Sequence, residues 1–70
     1  MHTKEIDRRR AAVQADLLRE TMDETIQIRT IDAGGGQVLL VASVGDRTRR
    51  PRILEVIQRQ FPDALVRFEP

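Results

Sequence analysis

The chain has 70 residues, with 12 Lys and Arg against 11 Asp and Glu, which gives a formal net charge of +1 at pH 7. Its 40% hydrophobic and 33% charged residues are typical of one small globular domain over residues 1–70 rather than of a disordered segment. With no cysteine and one histidine, His2, disulfides and cysteine-ligated metal sites are excluded, and histidine catalysis has almost no residue to use. No apolar run reaches the roughly 18 residues of a membrane span, and the charged N-terminus lacks a secretory pattern. We therefore expect a cytoplasmic protein without membrane contact, metal or cofactor.

The first predicted element is a helix over about residues 3 to 23, a stretch without glycine or proline in which Thr3 fits as the N-cap. At about 100° per residue, its apolar residues form two separate stripes. One stripe contains Ile6, Val13 and Leu17, and the other contains Ala11, Ala15, Leu18 and Met22. Because one sheet face rarely covers so wide an arc, part of this helix should remain available for another molecule.

Two strands are predicted next, over about residues 24 to 32 and 37 to 44, because the hydrophobic period changes to two. Between them lie three consecutive glycines, residues 34–36, which can adopt positive φ without steric cost. A phosphate-binding loop would lead into a helix, whereas here a strand follows, so the pattern favours a hairpin turn. The second strand is apolar on both faces, which places it at the centre of a sheet.

A second helix is predicted over about residues 48 to 60, with Thr48 as its N-cap and Pro51 in its first turn. Its buried stripe should contain Ile53, Leu54, Ile57 and Phe61, with Val56 beside it. A last strand follows over about residues 64 to 69. The fold is therefore predicted as α+β, an α-β-β-α-β two-layer sandwich. A right-handed crossover makes strand three parallel to strand two, which gives a three-stranded mixed sheet of order 1-2-3 with both helices on one face.

This arrangement leaves the opposite sheet face without cover, unless loops or termini shield it. That face should present an apolar centre with an arginine-bearing rim, the anatomy of a protein-binding patch. The predicted patch consists of Arg29, Ile31, Leu39, Val41, Leu65 and Arg67. We expect a protein partner or a homodimer, as in a small bacterial or phage-encoded adaptor or inhibitor. Replacing Leu39 with Glu and Val41 with Lys should then abolish association and leave the fold intact.

A second candidate surface is a cluster of four arginines leading into the second helix, Arg47, Arg49, Arg50 and Arg52. Guanidinium groups beside a helix N-terminus are suited to phosphate, so nucleic-acid binding is the alternative function. Two phenylalanines and no tyrosine or tryptophan leave no platform for base stacking, and the nearly neutral net charge is unlike that of a typical nucleic-acid module.

Catalysis has weaker support in the sequence. The closest carboxylate pairs, Asp16 with Glu20 and Asp23 with Glu24, fall on a solvated helix face with arginines nearby, which keeps them ionised. No Asp, Glu and His set has metal-ligand spacing, and so short a chain leaves little volume for a desolvated pocket. We expect no enzyme and no small-molecule substrate.

The region from about residue 24 to 68 resembles the BON domain, a small α-β-β-α-β module of bacterial proteins. The second strand of that family follows a glycine-containing turn with a pattern near V-x-L-x-G-x-V, and here Gly36 precedes Val38, Leu40, Ala42 and Val44. Ala42 stands where the family has glycine, and no Gly-Val pair follows the second helix. The resemblance implies the fold and no site residues. It also suggests contact with phospholipid or protein, but neither predicted helix is a basic amphipathic one suited to a lipid surface.

Overall fold

The elements occur in the predicted order α-β-β-α-β in a computed structural model that describes residues 3–69. Met1, His2 and Pro70, and with them the one histidine, lie outside the described residues. The elements are α1 (Thr3–Thr21), β1 (Gln27–Gly34), β2 (Gln37–Ser43), α2 (Arg50–Gln60) and β3 (Leu65–Glu69). A short 3₁₀ turn, Arg47–Arg49, precedes α2. Among the described residues, neither helix combines the length and apolarity needed to cross a membrane.

The three strands form one mixed sheet of order β1-β2-β3, which confirms the predicted topology. β1 and β2 are antiparallel and joined by the glycine turn, whereas β3 returns through α2 to lie parallel to β2. All three glycines of the turn have positive φ, and the register shifts between Asp32 and Gly34 to form a bulge. The hairpin was therefore correctly predicted, and no helix follows the glycines.

Both helices pack on the same face of the sheet. The core on that side is entirely apolar and joins residues of both helices to alternate residues of the strands. Its buried members are Val13, Leu17, Ile26, Ile28, Leu40, Ala42, Val44, Ile53, Val56, Ile57 and Phe61. In α2, Val56 is fully buried and Leu54 only partly, the reverse of the predicted roles. The second apolar stripe of α1 stays outside this core, since Leu18 and Met22 are 44% and 82% exposed.

α1 ends at Thr21, two residues before the predicted end, because the chain turns sharply there. Met22 adopts a φ of 57°, and its N–H donates to the carbonyl of Leu18 at 2.9 Å. Asp23 then accepts hydrogen bonds from the backbone N–H and the hydroxyl of Thr25, at 2.9 and 2.5 Å. This turn occupies the residues that strand periodicity alone assigned to β1, so β1 begins at Gln27 instead of Glu24.

The start of α2 also differs from the prediction. Thr48 is not an N-cap: its backbone N–H and its hydroxyl donate to Asp46, at 3.0 and 2.6 Å, and the residues around it form the 3₁₀ turn. α2 then begins at Arg50, with Pro51 in its first turn as predicted. The aspartate therefore does the capping two residues earlier than expected, because its short side chain reaches the free N–H groups of the tight turn.

Ion pairs hold the two helices together at their solvent-facing side. Both guanidinium nitrogens of Arg59 in α2 donate to the Glu20 carboxylate in α1, at 2.5 and 3.2 Å, and Arg52 approaches the same carboxylate at 3.7 Å. Arg49 reaches the end of α1, where it contacts Asp23 at 3.2 Å and the Thr21 carbonyl at 3.4 Å. These contacts link the C-terminal end of α1 to α2 and to the turn before it, and they use arginines of the predicted phosphate cluster.

Candidate functional site

The face of the sheet opposite the helices, called here the open face, carries three rows of side chains across the strands. The register places Gln27, Ser43 and Glu69 in the first row, Arg29, Val41 and Arg67 in the second, and Ile31, Leu39 and Leu65 in the third. All six residues of the predicted patch therefore share one face in two adjacent rows. The alternation of the strands was sufficient to predict this arrangement.

The third row, called here the apolar row, is the most exposed set of large hydrophobic side chains on the sheet. Leu65 is 64% and Ile31 44% exposed, and Leu39 between them is partly buried. No helix of the described chain covers this row, because both helices pack on the other side. Neighbouring apolar side chains that remain in water are the usual mark of a contact surface.

Val41 lies on the open face as predicted, but it is only 3% exposed. It does not belong to the core between helices and sheet, so side chains of its own face must cover it. Its neighbours in the row are Arg29 and Arg67, whose long aliphatic stems are suited to lie over it. Substituting Val41 would therefore disturb the monomer, so Leu65 is the better residue for testing this surface.

The two arginines of the rim differ in their partners. Arg29 forms an ion pair with Glu69 at 2.6 Å, across the first two rows of the open face. Arg67 is exposed and has no ion pair within residues 3–69. The rim thus offers one guanidinium whose charge nothing in the described chain neutralises, next to an apolar row.

The four arginines of the predicted phosphate cluster do not converge on one site. Arg49 and Arg52 make the ion pairs with α1, and Arg49 also lies 3.7 Å from Asp46. The guanidinium carbon of Arg50 lies 5.3 Å from the centre of the Phe68 ring, a cation–π contact. Arg47 is exposed and makes no ion pair with any described residue. Three of the four side chains thus contact the protein itself.

One carboxylate of each candidate acidic pair, Glu20 and Asp23, is held in its charged form. Hydrogen bonding from Arg59 lowers the pKa of Glu20, and hydrogen bonds from Thr25 lower that of Asp23. Hydrogen bonds from Thr48 likewise lower the pKa of Asp46. A general acid needs the opposite shift, which burial without such donors would supply. Within residues 3–69, no group of three or more Asp, Glu, His or Cys residues is placed to hold a metal ion.

The outer edge of β1 is a site that the sequence analysis did not identify. The side-chain amide of Gln14 in α1 donates to the Ile26 carbonyl at 2.7 Å and accepts from the Ile28 N–H at 3.1 Å. It thereby occupies one end of the edge as the peptide group of a neighbouring strand would. The one signal in the sequence was an amide at position 14 among the apolar residues of the second stripe, Ala11, Ala15 and Leu18.

A cleft of about 310 Å³ adjoins the remainder of this edge. The first two turns of α1 line one side of it with Thr3, Ile6 and Asp7, and β1 lines the other with Thr30 and Asp32. Neither aspartate makes an ion pair with a described residue. The cleft is therefore an acidic pocket beside a strand edge.

No family model matches this chain, and neither a curated protein nor a solved structure matches it. These comparisons neither support nor contradict the resemblance to the BON domain, which stays a prediction.

Proposed function

We propose that this protein is a non-enzymatic interaction module, a small adaptor or inhibitor, that associates with a second copy of itself through the open face. The observation that carries the proposal is the apolar row of Ile31, Leu39 and Leu65, which lies in water while both helices cover the other face. Burying such side chains against a twin removes apolar area from water at about 25 cal/mol per Å². The fold gains stability from the same contact.

A second copy fits because the rows of the open face are compatible with two-fold symmetry. If the two-fold axis runs parallel to the apolar row, the apolar row of one molecule packs on the apolar row of the second. Arg29 and Arg67 of each copy then lie opposite positions of β1 and β3 beyond the apolar row, rather than opposite another arginine. An axis parallel to the strands would instead place Arg29 of one copy over Arg67 of the other, and like charges would repel. Symmetry and charge together favour the first arrangement.

Location in the cytoplasm is part of the same proposal. The chain stabilises its fold with an apolar core and with ion pairs between the helices, such as that of Glu20 with Arg59. Small exported domains commonly rely on disulfides for this purpose. The way in which this fold is stabilised is therefore consistent with a reducing compartment.

The test is Leu65→Glu, measured by sedimentation equilibrium across a hundredfold range of protein concentration. A carboxylate in the apolar row should raise the dissociation constant of the dimer at least about tenfold, because it cannot be buried against leucine without a partner. The matched control is Leu18→Glu, the same change at an exposed leucine of α1. A monomeric wild-type chain at every concentration, or equal weakening by both variants, would refute the proposal.

A further inference from the structure

Beyond self-association, we infer that the free edge of β1 and the acidic cleft beside it bind an extended peptide segment of a partner protein, one that alternates basic and apolar side chains. The site has two independent components: outward-facing backbone groups that accept a strand, and two aspartates that make no ion pair with a described residue and select the charge of that strand. It adjoins the apolar row only at Ile31 and lies apart from Leu39 and Leu65, and its backbone groups and aspartates are available whether or not the chain self-associates.

The first component follows from the backbone of β1. Because the Ile28 N–H donates to Gln14, the backbone polar groups of Ile28 point away from β2. In an antiparallel strand, the backbone N–H and C=O groups of successive residues point alternately toward the paired strand and away from it. The N–H and C=O groups of Thr30 and Asp32 therefore also point away from β2. Gln14 satisfies only the Ile26 carbonyl and the Ile28 N–H. The groups beyond them form an open template for strand addition.

The second component follows from the two sides of an added strand. Side chains on one side would lie next to Ile31 and extend the apolar row, which favours apolar residues there. Side chains on the other side would enter the cleft between α1 and β1, where they meet Asp7 and Asp32. A lysine or arginine there would neutralise these carboxylates, and Ile6 at the cleft wall would pack against its stem. The chemistry of the edge therefore specifies an alternating basic and apolar segment.

A second copy of β1 is a poorer occupant of this edge, because each of the three antiparallel registers that pair Thr30 or Asp32 with Thr30 or Asp32 of the second copy meets an obstacle. Pairing Thr30 with Thr30 of the second copy requires the Ile28 N–H that Gln14 already holds. Pairing Thr30 with Asp32 of the second copy brings another carboxylate into a cleft that already contains Asp7 and Asp32. Pairing Asp32 with its own equivalent places like charges opposite each other, which is destabilising. A basic segment that pairs with Thr30 and Asp32 alone leaves the hydrogen bond from Ile28 to Gln14 intact and brings no further carboxylate into the cleft.

The probe is a capped nine-residue peptide in which valine alternates with lysine, with a valine–glutamate peptide of the same length for comparison. We expect the lysine peptide to bind in a fluorescence anisotropy titration and the glutamate peptide not to bind. Asp7→Asn and Asp32→Asn should each weaken binding by about 3- to 10-fold, as loss of a partly exposed charge pair does. Glu24→Gln is the control, since this exposed carboxylate makes no ion pair within residues 3–69 and lies outside the cleft.

Thr30→Pro tests the strand addition itself. The Thr30 N–H points away from β2, so proline there removes an outward donor and leaves the hairpin ladder intact. Binding should be lost while circular dichroism stays that of the native fold. A lysine peptide with N-methyl groups on alternate amides gives the same test without altering the protein, and one of the two methylation patterns should abolish binding.

Hydrogen exchange separates the possible outcomes. The lysine peptide should slow exchange of the Thr30 and Asp32 amides, and Leu65→Glu should leave this protection unchanged. Equal binding of both peptides, or binding that survives N-methylation in either pattern, would overturn the proposal. So would protection of these two amides in the protein alone that rises with its concentration, because a second copy would then occupy the edge.

Discussion

Gln14 shows how much one side chain can contribute at a strand edge. Its amide makes two hydrogen bonds to β1, at 2.7 and 3.1 Å, and both are partly buried. It therefore attaches α1 to the sheet and prevents other chains from pairing with the first part of the edge. A polar residue within an apolar helix face thus has a structural role here.

We expect Gln14→Ala to lower the free energy of unfolding by about 1–2 kcal/mol, since two backbone groups lose their partner and water replaces it only in part. Urea denaturation followed by circular dichroism gives the value. The matched control is Gln58→Ala in α2, because Gln58 is exposed and its side-chain amide makes no hydrogen bond with a described residue. A difference of less than 0.5 kcal/mol between the two variants, roughly the ordinary scatter of surface substitutions, would contradict this role.

Glu20 gives the molecule a defined response to acid. Its pKa is lowered mainly by the hydrogen bonds from Arg59, so the folded state favours the ionised carboxylate. A lowered pKa contributes stability that is fully present above the unfolded value, about 4.3 for glutamate, and is lost as pH falls through the folded value. Glu20→Gln should therefore flatten the decline of stability below about pH 4.5. Thermal unfolding across pH 3–7 checks this, and parallel curves for wild type and Glu20→Gln would contradict it.

At the scale of the elements, the sequence predicted the faces of the strands, which hydrophobic periodicity determines, but not the ends of the elements, which local hydrogen bonds determine. The strand alternation was sufficient to place Ile31, Leu39 and Leu65 on one face. The ends of α1 and β1 were wrong because Asp23 organises a turn through Thr25, which competes with strand periodicity. Alternation also assigns a side chain to a face without stating what covers it, so the burial of Val41 could not be predicted.

The glycine hairpin permits a test with an internal control. Gly36 has a φ of 78° with open space around it, so Gly36→Ala adds strain without a clash. The left-handed conformation should cost about 1–2 kcal/mol of stability. Gly45 has the same open space but no positive φ, so Gly45→Ala should be neutral or stabilising, by up to about 1 kcal/mol. Urea denaturation of both variants measures these changes in stability. Equal effects would show that the turn does not require a positive φ at Gly36.

At the scale of the whole molecule, most of the charge is used internally. Arg49, Arg52 and Arg59 bind carboxylates at or just after the C-terminal end of α1, and Arg29 binds Glu69. Composition alone predicted an arginine cluster available to phosphate, because it does not reveal which acids lie nearby in space. Arg47 remains the member of that cluster without an ion pair among the described residues.

Nucleic-acid binding, the alternative function, therefore has a quantitative test. Four phosphate contacts would give a log–log salt dependence with a slope of about −3.6, whereas one contact gives about −0.9. We expect no gel shift of duplex or single-stranded DNA or RNA at physiological salt, and at most a weak shift at low salt with the shallow slope. A slope steeper than about −3, removed by Arg47→Ala, would restore the cluster as a nucleic-acid interface.

The mixed ladder around β2 has a consequence for the way the chain folds. Its antiparallel partner is the preceding strand, joined by a tight turn, whereas its parallel partner arrives only after the chain has passed through α2. Closing that longer loop costs more entropy, so we expect the hairpin to form in the folding transition state and β3 to dock after it. Destabilising changes in β3 should then chiefly accelerate unfolding, whereas changes in the hairpin slow refolding. The strand that completes the apolar row is also the one that joins the sheet last.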